Sequence, residues 1–183
     1  GAKVLLHDAS APALERARRA ITSSLERLTA KGAIDAVLAE ATLTRIADAT
    51  FDAASDAEVV VEAIVENLEA KQTLYRDLED IVGADCIFGT NTSSISVTSI
   101  GAALKRPERL AGLHFFNPAP LMKLVEVVSG LATERAVADT LHATAAAWGK
   151  TPVHARSTPG FIVNRVARPY YAEALRILNE GGG

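Results

Sequence analysis

Residues 59–65, VVVEAIV, form a nearly continuous apolar run with a strong preference for β-structure. A strand has this composition when both faces of its sheet are covered, as in parallel sheets. Residues 68–81 follow with apolar side chains at helical spacing, which indicates an amphipathic helix. A buried strand followed at once by such a helix predicts a parallel α/β unit.

The alternation of strands and helices extends in both directions from this unit, which predicts a parallel sheet with right-handed crossovers. A proline, Pro169, falls inside the last helix and predicts a kink there. The other strands are expected at residues 3–6, near 43–47, and at 86–89, 110–114, 124–128 and 151–155; the other helices are expected from Leu14 to about Leu28, at 95–104, from a cap at Thr133 to Trp148, and from Phe161 to Asn179.

Polar side chains fall at or just beyond the ends of four predicted strands. In parallel sheets, ligands bind in the crevice outside the carboxyl ends of the strands. We therefore expect these polar groups to face one ligand site. They are Asp8, Glu66, Asn91 with Ser93, and His114.

Composition argues against several classes of protein. The net charge of −3 and the pI near 5.8 give no general attraction to nucleic acid or to an anionic membrane. The apolar runs are shorter than a membrane span. The one cysteine, Cys86, lies in an apolar stretch and predicts a buried free thiol rather than a disulfide or a metal ligand. We expect a cytoplasmic protein without a metal site.

An acidic residue at the end of the first predicted strand, Asp8, has two interpretations. Dinucleotide-binding folds use such an acid to accept hydrogen bonds from a ribose diol. An acid at the start of a helix also stabilises the helix dipole without any ligand. The sequence alone leaves both open, and the lack of an arginine directly after Asp8 favours NAD over NADP.

His114 and Glu126 have the ingredients of a general base and its orienting carboxylate. His114 lies in the run LHFFNPAP, and Glu126 follows a proline-bounded turn in LVEVV. A histidine satisfied in the core and a glutamate facing solvent explain the same spacing. The spacing does not decide between these interpretations.

Three further polar residues, Asn91, Ser93 and Asn164, could orient a substrate oxygen. Asn91 and Ser93 follow a predicted strand, and Asn164 lies in the first turn of the last helix. Residues of these types also cap helices and form turns without any catalytic role.

Four runs of sequence together resemble the L-3-hydroxyacyl-CoA dehydrogenase family over essentially the whole chain. The family implies a Rossmann-like, doubly wound, mainly parallel sheet that would lack its first strand here, followed by the start of an all-α C-terminal domain. This places the incomplete NAD-binding domain at residues 1–157 and the first helix of the next domain at 158–183. The four runs are VEAIVEN, NTSS, LAGLHFFNPAPLMKLVEVV and STPGFIVNR.

The resemblance also implies roles for individual residues. His114 matches the catalytic base and Glu126 its orienting carboxylate, while Ser93 and Asn164 match the pair that contacts the substrate oxygen. Ser24 and Lys31 match positions that meet the coenzyme A portion of an acyl-CoA substrate. The positions that match the NAD site are Asp8, Ala63, Glu66, Lys71, Asn91, Ser93 and Asn117.

The activity implied is NAD-dependent oxidation of an L-3-hydroxyacyl-CoA to a 3-ketoacyl-CoA, by a parent enzyme that forms a homodimer. In the family a G-x-G-x-x-G turn precedes the segment that Gly1 begins, and no such pattern occurs in the chain. We therefore expect the chain alone to bind NAD poorly. The alternatives are a dehydrogenase of hydroxy acids not joined to coenzyme A, and an inactive fragment or part of a multifunctional β-oxidation protein.

Overall fold

The structure is a computed structural model that describes residues 1–181. The predicted C-terminal segment 158–183 therefore ends in two glycines, Gly182 and Gly183, that lie outside the described residues. The chain divides into two compact units, Gly1–Asp56 and Ala57–Gly183.

The first unit contains two parallel strands and two helices. An arginine of the first helix, Arg18, ties the helix to the second strand by donating to the Asp48 carboxylate at 2.7 Å and to the Ile46 carbonyl at 3.0 Å. The elements are β1 (Val4–Leu6), α1 (Ala11–Ala30), α2 (Ala36–Leu43) and β2 (Ile46–Asp48), followed by a 3-10 helix at Phe51–Asp56.

Helix α2 was not predicted from the sequence. Its apolar side chains are spread around the helix rather than gathered on one face, so no amphipathic pattern marks it. Its beginning is set by Asp35, whose carboxylate accepts the Leu38 N–H at 2.6 Å. This N-cap is the one local signal for the helix.

The second unit contains a five-stranded sheet in the order β3-β4-β5-β6-β7, with every pair parallel except β5 and β6. The mixed α/β fold with a mainly parallel sheet is therefore confirmed. The elements are β3 (Val59–Glu62), α3 (Leu68–Glu79), β4 (Ile87–Thr90), α4 (Val97–Gly101), a 3-10 helix at Pro107–Arg109, β5 (Leu110–Phe115), β6 (Leu124–Ser129), α5 (Arg135–Ala147), β7 (Thr151–Arg156) and α6 (Val163–Asn179).

The core of the second unit lies where α5 packs against β5 and β6. A glycine, Gly112, allows the close packing on the other side, since a Cβ there would lie 2.8 Å from the Cβ of Val128. The buried side chains of the α5 interface belong to Ala111, Leu113, Val125, Val127, Val137, Ala138, Leu141 and Ala145.

Several predicted boundaries in the second unit were wrong, and α4 spans Val97–Gly101 rather than residues 95–104. Strand β3 ends at Glu62 rather than at Val65, because Glu62 turns the chain by accepting the Ile64 N–H at 2.8 Å. Thr133 does not cap α5, which begins at Arg135 after Glu134. The Thr133 hydroxyl instead donates to the Leu110 carbonyl at 2.6 Å.

Helix α6 continues through Pro169. Its large apolar side chains are exposed, with Tyr170 at 76%, Tyr171 at 66% and Leu175 at 62%. Within the described residues, no helix combines the length and the apolar character needed to cross a membrane.

Candidate active site

The antiparallel hairpin of β5 and β6 places His114 directly opposite Glu126. Side chains of directly opposed residues lie on the same face of a sheet, within reach of each other. The His114 Nδ1 lies 2.7 Å from the Glu126 Oε2, and both side chains are buried. Because a carboxylate accepts hydrogen bonds, this contact fits the tautomer in which Nδ1 donates to Glu126 and Nε2 is left as an acceptor.

The other oxygen of Glu126 accepts two backbone N–H groups at the start of α6. Oε1 lies 2.9 Å from the nitrogens of both Ile162 and Val163. A helix N-terminus carries partial positive charge and unpaired N–H groups, both of which favour a carboxylate. The buried Glu126 is therefore held by three donors, and its oxygens cannot rotate away from His114.

Two aromatic rings contact the His114 imidazole. The Phe116 ring lies 4.6 Å from it between centroids, and the Phe161 ring lies 5.7 Å from it in an edge-on arrangement. Phe161 follows Gly160 in the turn before α6, and both residues have positive φ. These rings help to exclude water from a histidine that is 4% exposed.

Ser93 and Asn164 are joined by a hydrogen bond, in which the Asn164 side-chain amide donates to the Ser93 carbonyl at 3.2 Å. Asn164 directly follows Val163, whose N–H donates to Glu126. The fold therefore brings the predicted pair to the turn that holds the histidine and its carboxylate. The catalytic roles of all four residues stay predictions.

Glu66 lies in the β3–α3 loop and is bound by the segment that follows β4. Its Oε1 accepts the Thr92 hydroxyl at 2.6 Å, the Ser93 N–H at 2.9 Å and the Ser94 N–H at 3.0 Å. Partial burial raises the pKa of Glu66, but these hydrogen bonds and the charge of Lys71 outweigh it and lower the pKa from 4.5 to about 2. Glu66 is therefore an anion at neutral pH that fixes the loop carrying Ser93.

Lys71 is fully buried, and its ammonium is shared between two carboxylates. Nζ lies 2.5 Å from the Glu62 Oε1 and 3.5 Å from the Glu66 Oε2. Glu62 is also buried, and its Oε2 accepts the Thr90 hydroxyl at 2.7 Å. Lys71 thus contacts the site residue Glu66 by an ion pair. Its predicted direct contact with the cofactor stays a prediction.

The remaining predicted site residues of the second unit lie at the same ends of the strands. Ala63 is exposed just after β3, and Asn117 is exposed two residues after β5. The Asn91 side-chain oxygen accepts the Phe115 N–H at 2.9 Å, which joins the ends of β4 and β5. Asn91 therefore has a structural hydrogen bond in addition to its predicted place in the cofactor site.

Three predicted residues belong to the first unit. Asp8 is exposed just beyond the carboxyl end of β1, and its Oδ1 accepts the Ser10 N–H at 2.8 Å. Ser24 is half-buried on α1, and the exposed Lys31 directly follows that helix. Their contacts with ribose and coenzyme A stay predictions.

The chemistry of these residues fits NAD. The ends of β3, β4 and β5 present an ionised carboxylate, carboxamides and exposed backbone, while the lysine among them is buried against carboxylates. Such a set suits the hydroxyl groups and carboxamide of a nicotinamide riboside better than a phosphate. In the first unit, the Asp8 carboxylate offers the acceptors that a ribose diol requires.

Three residues that support the site by contacting Lys71, Glu62 or His114 were not identified from the sequence. The sequence assigned Glu62 only to an apolar strand and Phe161 only to the start of a helix, and it gave Thr90, directly after the strand predicted at 86–89, no role. A lysine nine residues after the buried Glu62 was the available signal, because a strand covered on both faces tolerates a charge only when it is paired. Across residues 1–181, no cluster of three or more His, Cys, Asp or Glu side chains is placed to bind a metal ion.

We predict that Glu66→Gln changes the pH dependence of stability. A carboxyl group whose pKa is lowered by folding stabilises the protein above its ordinary pKa of 4.5, and this contribution is lost as the pH falls to about 2. Because the side chain is 38% exposed, solvent screening limits the effect to about 1 kcal/mol.

The measurement is the melting temperature of the full-length protein and the variant as a function of pH. The difference between the two should be largest near neutrality and vanish near pH 2. A difference that stays constant over this range contradicts the proposed ionisation of Glu66.

Known proteins resemble this chain over nearly its whole length. Residues 1–158 match the family model described as "3-hydroxyacyl-CoA dehydrogenase, NAD binding domain". Over 181 residues the chain is 52% identical to the 3-hydroxyadipyl-CoA dehydrogenase of Escherichia coli (strain K12), covering 98% of this chain and 38% of that protein. It is 42% identical over 189 residues to the mitochondrial hydroxyacyl-coenzyme A dehydrogenase of Homo sapiens, covering 99% of this chain and 60% of that protein.

Among solved structures, the 3-hydroxybutyryl-CoA dehydrogenase from Escherichia coli K12 superposes with a TM-score of 0.96 at 51% identity, over 98% of this chain and 38% of that one. The chain thus spans between 38% and 60% of the length of these relatives.

Proposed function

Because the chain belongs to the 3-hydroxyacyl-CoA dehydrogenase family, of which it matches the NAD-binding domain, we propose that it is the cofactor-binding and catalytic part of an enzyme that oxidises L-3-hydroxyacyl-CoA to 3-ketoacyl-CoA. The observation that carries the proposal is the buried His114–Glu126 pair, with the carboxylate locked by the N-terminus of α6. This pair leaves one imidazole nitrogen free to accept a proton.

In the proposed reaction, His114 Nε2 accepts the proton of the substrate 3-hydroxyl group. When bound, NAD would accept the hydride that leaves the carbon bearing this hydroxyl group. Glu126 stabilises the imidazolium that forms, because it already accepts the Nδ1 proton. Asn164 and Ser93 hold the substrate oxygen within reach of the base.

The relatives differ in the acyl group that their names carry, adipyl in one and butyryl in another. We propose a 3-hydroxyacyl-CoA as the substrate class, and leave the acyl chain to experiment. We further propose a cytoplasmic homodimer, on the basis of the single buried thiol of Cys86 and the exposed apolar face of α6.

The test is NADH formation by the full-length protein with a series of 3-hydroxyacyl-CoA thioesters of increasing chain length. The matched control is the corresponding free 3-hydroxy acids. Turnover of the thioesters with little or none of the free acids supports the proposal. A preference for the free acids would instead support a hydroxy-acid dehydrogenase that does not use coenzyme A.

We predict that Lys31→Ala raises KM for the acyl-CoA by about threefold to tenfold, the effect of losing one exposed contact between an ammonium and a phosphate. The value of kcat should stay the same, because such a contact is equal in ground state and transition state. The matched control is Arg135→Ala, which removes one positive charge from a side chain that is 93% exposed in the second unit. An equal rise of KM in both variants would argue against a coenzyme A contact at Lys31.

A further inference from the structure

Phe161 has a backbone conformation that its side chain does not favour. Among residues 1–181 it is the one non-glycine residue with positive φ, at +48°. The other residues with positive φ in that part of the chain are glycines, including the preceding Gly160 at +77°. A left-handed conformation brings Cβ close to the following carbonyl oxygen, so a phenylalanine persists there only when the surrounding structure holds it.

The turn that imposes this conformation is tightly packed. A Cβ on Gly160 would lie 2.9 Å from the Arg165 backbone nitrogen, so the chain passes too close to α6 for any side chain at that position. The next residue, Phe161, is buried at 4% exposure. The residue with the strained backbone is therefore also one whose aromatic ring is buried.

The buried ring lies against the His114 imidazole, at 5.7 Å between centroids and an interplanar angle of 67°. Edge-on contact at this distance is a favourable arrangement of two aromatic rings. The two residues after Phe161 donate their N–H groups to Glu126. One short turn therefore contacts both members of the pair, the histidine through a side chain and the carboxylate through the backbone.

We propose that Phe161 is a positioning residue for His114. Its ring limits rotation of the imidazole, so that Nδ1 stays directed at Glu126 and Nε2 stays available to the substrate hydroxyl group. The inference rests on the proposed function, because it assigns Phe161 to the geometry of the same proton transfer.

The first test is the kinetics of Phe161→Leu in the full-length enzyme. Leucine keeps an apolar side chain but removes the ring, so we expect kcat to fall on the order of tenfold to a hundredfold, the effect of a slightly misplaced catalytic group. The KM values for both substrates should change less than twofold. Phe161→Tyr keeps the ring and should restore most of kcat.

The matched control is Phe88→Leu, which removes a fully buried ring that packs edge-on against Tyr75. This variant should lose thermal stability while keeping kcat. An equal loss of kcat in Phe88→Leu and Phe161→Leu would overturn the proposal, because general loosening of the fold would then explain both. A raised KM with unchanged kcat in Phe161→Leu would also overturn it.

The second test does not depend on activity. The Nδ1 proton of His114, held between the imidazole and a buried carboxylate, should give a low-field proton NMR signal that exchanges slowly with water. Phe161→Leu should broaden or abolish this signal, and Phe88→Leu should keep it; persistence in Phe161→Leu overturns the proposal. If the wild-type protein oxidises no 3-hydroxyacyl-CoA, the proposed function fails while this measurement still decides the positioning role.

Discussion

Replacing His114 with glutamine should reduce kcat for 3-hydroxyacyl-CoA oxidation by about a hundredfold to ten-thousandfold, the usual contribution of a general base. Glutamine can still donate a hydrogen bond to Glu126, but its amide does not accept a proton at neutral pH. The affinity for NADH should change less than twofold, because the predicted cofactor contacts come from other residues. The measurements are steady-state kinetics and NADH fluorescence titration on the full-length protein.

The matched control is His154→Gln on β7. His154 is about half exposed and stacks on His142, at 4.5 Å between ring centroids. This control makes the same histidine-to-glutamine substitution outside the candidate site and should leave kcat unchanged. If His114→Gln keeps kcat within threefold of the wild type, His114 is not the base.

Replacing Lys71 with methionine should destabilise the protein by about 3–5 kcal/mol, the cost of removing one partner from a buried ion pair. Methionine fills a similar volume, so the loss comes from the Glu62 carboxylate, which would stay buried without a cation. The measurement is denaturant unfolding of the full-length protein. The exposed pair of Lys105 and Asp80 gives the control, because Lys105→Met should leave the midpoint unchanged.

A double variant separates charge from packing at Lys71. Glu62→Gln combined with Lys71→Met removes both charges and should recover part of the stability that the single variant loses. A double variant that is less stable than Lys71→Met would show that the pair acts through packing and hydrogen bonding rather than through charge.

Apart from α2, the order of strands and helices could be predicted from the sequence because its signals are local. The run at Val59 and the helical spacing after Leu68 each depend on neighbouring residues alone, and the structure has a strand and a helix there. The end of β3 could not be predicted, since Ala63, Ile64 and Val65 continue the apolar composition of Val59–Val61. The side chain of Glu62 stops the strand by a hydrogen bond that no periodicity reveals.

For the candidate site, individual residues could be predicted from the sequence, but the contacts between them could not. Asp8 could be named because it follows an apolar run that forms a strand, and His114 because it lies near the end of such a run. The contact between Glu126 and the start of α6 joins residues 36 and 37 positions apart, and only the folded chain shows it. Similarly, the burial of Lys71 between Glu62 and Glu66 depends on packing of α3 on the sheet, which the sequence does not specify.

The capping of α6 by Glu126 also bears on how the chain folds. No side chain of the α6 segment caps its N-terminus, and the carboxylate that does so comes from β6. The first turn of this helix therefore gains its acceptor for the Ile162 and Val163 N–H groups only when Glu126 on β6 lies beside it. Because nucleation of a helix is costly, the hairpin should order before the beginning of α6 during folding. The carboxylate proposed to orient the catalytic histidine thereby sets where the helix starts.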